Sequence, residues 1–179
     1  MDIIITRRHF GTIVNHCRDY YPAEAGGFLG GAENLILGIF PVPNFAFLYF
    51  KEKKQFGIGD QDNLRANQFF AEHKMQVMGF YHSHPSANFP QPSPHDISAQ
   101  SLRSLKIMMI ISLAELKETR VATYLLAGQV PIEQNLKVIQ EEDINKYLLE
   151  RDVERAKQQY LSEMKKLDAR VEEILRKNL

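Results

Sequence analysis

Half of the chain's eight prolines, Pro85, Pro90, Pro92 and Pro94, fall within ten consecutive residues. Proline locks φ and lacks a backbone N–H, so this stretch can be neither a helix interior nor a central strand. It has to be a loop, and one with few backbone states to lose on folding. What it connects is equally constrained. Gln76 to Tyr81 reads as a strand running into His82-Ser83-His84-Pro85, and Ser93-Pro94-His95-Asp96 opens a helix expected over Asp96 to Leu105. A strand, a stiff return and a helix thus bring two polar clusters back toward each other.

The rest of the chain alternates strand and helix patterns. Ile3 to Thr6 is β-rich, and Arg7 to Tyr20 carries Phe10, Ile13, Val14 and Cys17 at helical spacing until Pro22 stops it. Ala23 to Gly31 holds four glycines around a small apolar centre, with Glu24 its one charge. Leu35 to Val42 and Phe45 to Phe50 read as two strands with a turn at Pro43-Asn44. Asp60 to Lys74 is expected to be a helix facing inward through Leu64, Phe69 and Phe70. Ile107 to Leu113 has the unbroken apolar run of a buried strand, and Val121 to Ala127 and Pro131 to Ile139 complete a sheet.

Composition narrows the function classes. The 179 residues carry 22 basic and 22 acidic side chains, so the basic excess of a nucleic-acid binder is missing. The uncharged, apolar-rich stretch Asn34 to Phe50 is broken by Pro41, Pro43 and Asn44 and is shorter than a membrane helix needs. The N-terminus lacks the basic start and long apolar run of a signal peptide. With a single cysteine, Cys17, neither an internal disulfide nor a multi-cysteine zinc site can form. A cytoplasmic protein is expected, with neither nucleic acid nor membrane as partner.

After Gln140 the character changes. Residues 141–179 hold 10 acids and 9 bases without Gly or Pro. Val153, Ala156, Tyr160, Met164, Leu167, Val171 and Ile174 recur at steps of three and four, which predicts one long amphipathic helix. The expected division is therefore a domain over 1–139 and a charged helical segment over 140–179. Two uses of that apolar stripe stay open: folding back on its own domain, or pairing with a second copy or a partner.

Residues two apart on a strand share a side, so His82 and His84 can aim both imidazoles at one centre. With Asp96 they make a three-ligand zinc set that leaves the fourth tetrahedral position for water, the pattern of a catalytic site. Such a site needs a base and an oxyanion donor. Glu24, among small residues, and Ser93, three residues before Asp96, are the candidates, although Ser93 could equally cap the helix that follows it. His9, His16 and His73 read as ordinary core or surface histidines, and His95 as a solvated loop residue.

Glu24, followed by His82-Ser83-His84-Pro85, seven residues, Ser93 and Asp96, resembles the JAMM (MPN-plus, or JAB-domain) zinc metalloproteases at every defining position. Tyr21 to Gly30 and Gly79-Phe80-Tyr81 are also similar to members of that family. The resemblance spans roughly residues 1–139. It implies an α+β fold, a curved mixed sheet flanked by helices of the cytidine-deaminase-like kind. It further implies one zinc ion held by His82, His84 and Asp96, with Glu24 as acid/base and Ser93 stabilising the tetrahedral intermediate.

The implied substrates are amide or isopeptide bonds at the C-terminus of a ubiquitin-like or sulfur-carrier protein, whose extended tail could add along a sheet edge. The short Asp96-to-Ile107 connection points to a prokaryotic-like member. The alternative is a non-catalytic MPN scaffold acting through the C-terminal helix. One departure stands out: many relatives have a cysteine two residues after the glutamate, where this chain has Gly26.

Overall fold

The structure is a computed structural model that describes residues 2–51, 55–102, 105–114, 118–150, 158 and 162. It comprises two compact units, Met1–Gln140 and Glu141–Leu179. In the second, a 3-10 turn at Glu141–Asp143 precedes helical residues 144–150. The Val153-to-Ile174 stripe, and with it the predicted long helix, lies outside the described residues.

The first unit is built on one eight-stranded mixed sheet. Its strands are β1 (Ile3–Thr6), β2 (Gly26–Ala32), β3 (Leu35–Val42), β4 (Gln76–His84), β5 (Ile107–Ser112), β6 (Arg120–Ala127), β7 (Val130–Gln134) and β8 (Leu136–Ile139). Across the sheet they run β7-β6-β5-β4-β2-β3-β1-β8. The pairs β1–β3, β1–β8 and β4–β5 are parallel and the other pairs antiparallel. The two edge strands, β7 and β8, are consecutive in the chain and separated by Asn135 alone. One residue can join opposite edges only if the sheet curls round to bring them together, and this explains its curvature. The single strand expected over Pro131 to Ile139 is accordingly two, because its halves pair with β6 and β1 on either side of Asn135.

Helices cover both faces. On one, α1 (Arg7–Asp19) starts at Thr6, whose Oγ1 accepts the His9 N–H at 3.3 Å, and buries Ile13 and Cys17. These join Ile3, Ile5, Leu29, Tyr81, Met109 and Ile111 in the main core. On the other, α3 (Asp60–Glu72) buries Ala66 and Phe70 against Phe28 and Val42. A Cβ at Gly30 would sit 2.2 Å from the Phe70 ring, so the glycine lets α3 lie close on the sheet. Leu64, predicted to face inward, is exposed instead.

The segment Phe45–Phe50 is a helix, α2, and not the strand its aromatic content suggested. Asn44 decides this locally: its Oδ1 accepts the N–H groups of Phe47 and Gly57 and caps the helix. The helix α4 spans Pro94–Leu102, two residues earlier at its start than the sequence indicated. No helix among the described residues is long and apolar enough to cross a membrane.

Candidate metal centre

Strand β4 lies in the interior of the sheet, hydrogen-bonded to β2 on one side and β5 on the other. A bulge opposite the Leu29/Gly30 step shifts its alternation, and beyond it the faces separate cleanly. Tyr81 and Ser83 point toward α1, whereas His82 and His84 point the other way. His82 is fully enclosed and its side chain is 1% exposed.

Asp96 comes from the first turn of α4, and the cap of that helix orients it. Ser93 Oγ accepts the Asp96 N–H at 3.2 Å, and Asp96 Oδ2 accepts the Ser93 N–H at 2.7 Å. This is a reciprocal capping box with a proline at the first helical position, as Ser-Pro-His-Asp allows. The proline-rich loop and the cap together deliver the carboxylate to the histidines.

Three side chains then converge. His82 Nε2 and His84 Nε2 are 2.9 Å apart, Asp96 Oδ1 is 3.1 Å from His82 Nε2, and Asp96 Oδ2 is 3.4 Å from His84 Nε2. Zinc bonds of about 2.0–2.2 Å in tetrahedral array separate donors by about 3.3–3.5 Å, so the cluster fits that ion to within a few tenths of an ångström. Lone pairs turned toward one point repel unless a proton or a cation lies between them. His82, His84 and Asp96 thus form a possible metal site.

The electrostatics agree with that arrangement. Burial pushes the His82 imidazole below its usual pKa, against the pull of Asp96, so the ring stays neutral and available as a ligand. Burial alone would raise the Asp96 carboxyl. Hydrogen bonds from His82, His84 and Ser93 outweigh it and hold the group well below the usual carboxylate range.

Glu24 and Ser93, 69 residues apart in sequence, line one cleft with His84 and Asp96, walled further by Gln55, Phe56 and His95. An adjoining cleft reaches His82 past Phe56 and Phe80. All five residues singled out in the sequence therefore gather at one place.

Residues 6–125 match the family model described as prokaryotic homologs of the JAB domain. The chain belongs to this family. Among solved structures, this JAB domain is similar to a Desulfitobacterium hafniense protein (24% identity, 79% of this chain and 94% of that one, TM-score 0.65). It is also similar to a JAB1/MPN domain protein from Archaeoglobus fulgidus (22% identity, 77% and 98%, TM-score 0.52). A third, described as a JAMM metalloprotease-like zinc site in the proteasome and signalosome, shares 20% identity over 78% and 100%, with a TM-score of 0.50. No curated protein matches the chain.

Within the JAB domain, Gly26 has a definite spatial role. A Cβ there would lie 2.5 Å from the Tyr81 carbonyl oxygen and 2.6 Å from the Phe56 ring. The ring takes the room a side chain would need and stacks on His82 at 6.2 Å between centroids and 9° between planes. His82 Nδ1 is buried without a hydrogen-bond partner among the described residues, so stacking orients the imidazole where an outer hydrogen bond usually does.

Sequence reasoning missed Phe56, Gln55 and Asn44. An asparagine after a proline and before an apolar run is a cap signal, and it was legible; nothing local marked Phe56. His95 is exposed at the rim, with its Nε2 3.2 Å from Gln55 Nε2. His9, His16 and His73 lie outside the cluster. His9 pairs with Thr6, His16 with Tyr81, and His73 with the Phe69 carbonyl.

Proposed function

We propose that the protein is a zinc-dependent peptidase or isopeptidase that cleaves the amide bond following the C-terminus of a ubiquitin-like or sulfur-carrier protein, in the cytoplasm. The observation that carries this reading is the convergence of the His82, His84 and Asp96 donors beside a cleft lined by both Glu24 and Ser93. Zinc held by those three side chains would supply Lewis acidity and an acidified water. Glu24 would take the proton of the attacking water and return it to the leaving amine. Ser93 uses an oxygen lone pair in the helix cap, so its O–H remains able to donate to the oxyanion.

Both sides of β4 are occupied by neighbouring strands, so a tail has no free edge there to extend. It would instead enter over Gln55, Phe56 and His95, which wall the cleft. The proposal also holds 1–139 to be the catalytic domain. The charged segment 140–179 is assigned to homodimerisation or partner binding, and truncation after Gln140 should abolish assembly while sparing cleavage.

The test is metal analysis together with cleavage of Gly-Gly-ended modifier fusions, with and without chelator. One zinc per chain, chelator-sensitive cleavage, and a loss of about 10²–10⁴ in kcat for Glu24→Gln are expected. Protein lacking stoichiometric zinc, or Glu24→Gln cleaving as fast as wild type, would overturn the proposal.

A further inference from the structure

The peptide joining Glu24 to Ala25 is held at both of its polar ends by buried side chains. Its carbonyl oxygen, on Glu24, accepts from Asn44 Nδ2 at 2.9 Å. Its N–H, on Ala25, donates to Ser83 Oγ at 3.0 Å. Asn44 is 1% exposed and Ser83 fully buried. The two approach from different parts of the fold: Asn44 caps α2, and Ser83 sits between the two histidines on β4.

We infer that Asn44 and Ser83 are positioning residues that clamp the Glu24–Ala25 peptide and thereby set where the Glu24 side chain stands relative to His82, His84 and Asp96. The inference rests on the peptidase reading above, in which Glu24 handles the proton. Glu24 precedes the first residue of β2, so the sheet ladder does not itself fix its carbonyl. With both ends of the following peptide held, its plane cannot turn, and the ψ angle of Glu24 is fixed.

The connections give each clamp a reason to be where it is. Ser83 also takes part in the ladder, its N–H donating to the Ala25 carbonyl at 2.8 Å, so Ala25 is bound to one residue through both its polar groups. That residue has a metal-ligand candidate on either side, and the base and the ligand strand are therefore registered by a single side chain. Asn44 performs the matching task for the cleft wall. Its Nδ2 also donates to the Gln55 carbonyl at 2.9 Å, and its Oδ1 accepts the Gly57 N–H at 3.2 Å. The base and the wall that flanks it are tied to one amide.

The test uses the zinc-loaded full chain with Ser83→Ala and Asn44→Asp. The latter keeps the Oδ1 cap of α2 and replaces the donor facing Glu24 by an oxygen. Amide hydrogen exchange by NMR reads the clamp directly. Ala25 exchange should speed up about tenfold or more in Ser83→Ala while Leu29 and Phe80 stay as in wild type. On a Gly-Gly-ended modifier fusion, each variant should lose about 10–10²-fold in kcat with zinc content unchanged; KM should also stay unchanged in Ser83→Ala, which touches the Glu24–Ala25 peptide and not the Gln55 wall that Asn44 also holds.

Unchanged Ala25 exchange in Ser83→Ala would overturn the clamp. Faster exchange with an unchanged kcat would overturn its positioning role. If wild type shows no zinc-dependent cleavage, the peptidase reading falls by itself, and the clamp is then decided by exchange alone.

Discussion

The two faces of β4 carry residues of similar polarity to opposite ends. On the cleft side, His82 and His84 turn their Nε2 atoms toward Asp96, 3.1 and 3.4 Å from its carboxylate oxygens, an arrangement that suits a cation. On the α1 side, Tyr81 and Ser83 are equally buried, yet each is paired: Tyr81 Oη with His16 Nδ1 at 3.0 Å, and Ser83 with Ala25 and the Cys17 thiol. One side leaves its polar atoms for a ligand and the other consumes them internally. The difference teaches that burial alone does not mark a site; convergence of like donors does.

Substitutions on the cleft side should break function first. His82→Ala removes one of three donors and should lower zinc content from one per chain to near zero, with cleavage reduced by about 10³-fold or more. Metal analysis after dialysis checks it. The fold should persist, since apo protein keeps the α1-side core of Ile3, Ile5, Ile13 and Ile111.

Gly26→Ala probes the boundary between the faces. Its new methyl would meet a backbone carbonyl, which cannot rotate away, as well as the Phe56 ring. A loss of about 1–3 kcal/mol in chemical denaturation is expected, the usual cost of overpacking. Zinc affinity should fall with it as Phe56 leaves His82. The same geometry leaves no room at this position for a larger side chain such as cysteine.

How far the sequence could be read follows the same division. The metal-side residues were legible because strand alternation, a proline-stiffened loop and a capping box are all local patterns. Most strands were legible as apolar runs. Phe45 to Phe50 was not, because aromatic residues favour strands on average and a cap formed by Asn44 with distant Gly57 overrides that preference. Leu64 failed for a related reason: several helical faces of Asp60 to Lys74 carry apolar residues, and only the closeness of Gly30 selects the one bearing Phe70. The joined edges at Asn135 follow from the closure of the sheet and have no local signal.

The α1 side responds to alkaline pH. Burial pushes the Cys17 thiol up to about 12 from an ordinary thiol value of 9.0, ahead of the opposing hydrogen bond with Ser83. Between those values the unfolded thiol gives up its proton while the folded one keeps it. The native state then binds more protons, and stability falls as pH rises, by at most about 1.4 kcal/mol per unit from this group. Thermal melts from pH 8 to 11 should show the decline, and Cys17→Ala should flatten part of it. Zinc content is expected to be the same in both proteins at pH 8.

The smallest expected effect separates the faces most sharply. Burial lowers the His16 pKa, against Asp19, and the ring pairs through Nδ1 with the Tyr81 hydroxyl at 3.0 Å. Tyr81→Phe deletes that hydroxyl and keeps the ring that packs with Leu29 and Met109. The cost should be about 1 kcal/mol, the net worth of one hydrogen bond. Tyr81 is the immediate neighbour of His82, yet zinc stoichiometry and kcat should not change, because its side chain and the imidazole leave the strand in opposite directions. A Tyr81→Phe protein that lost zinc would mean that the two faces communicate through β4, and the separation drawn between them would fail at its closest point.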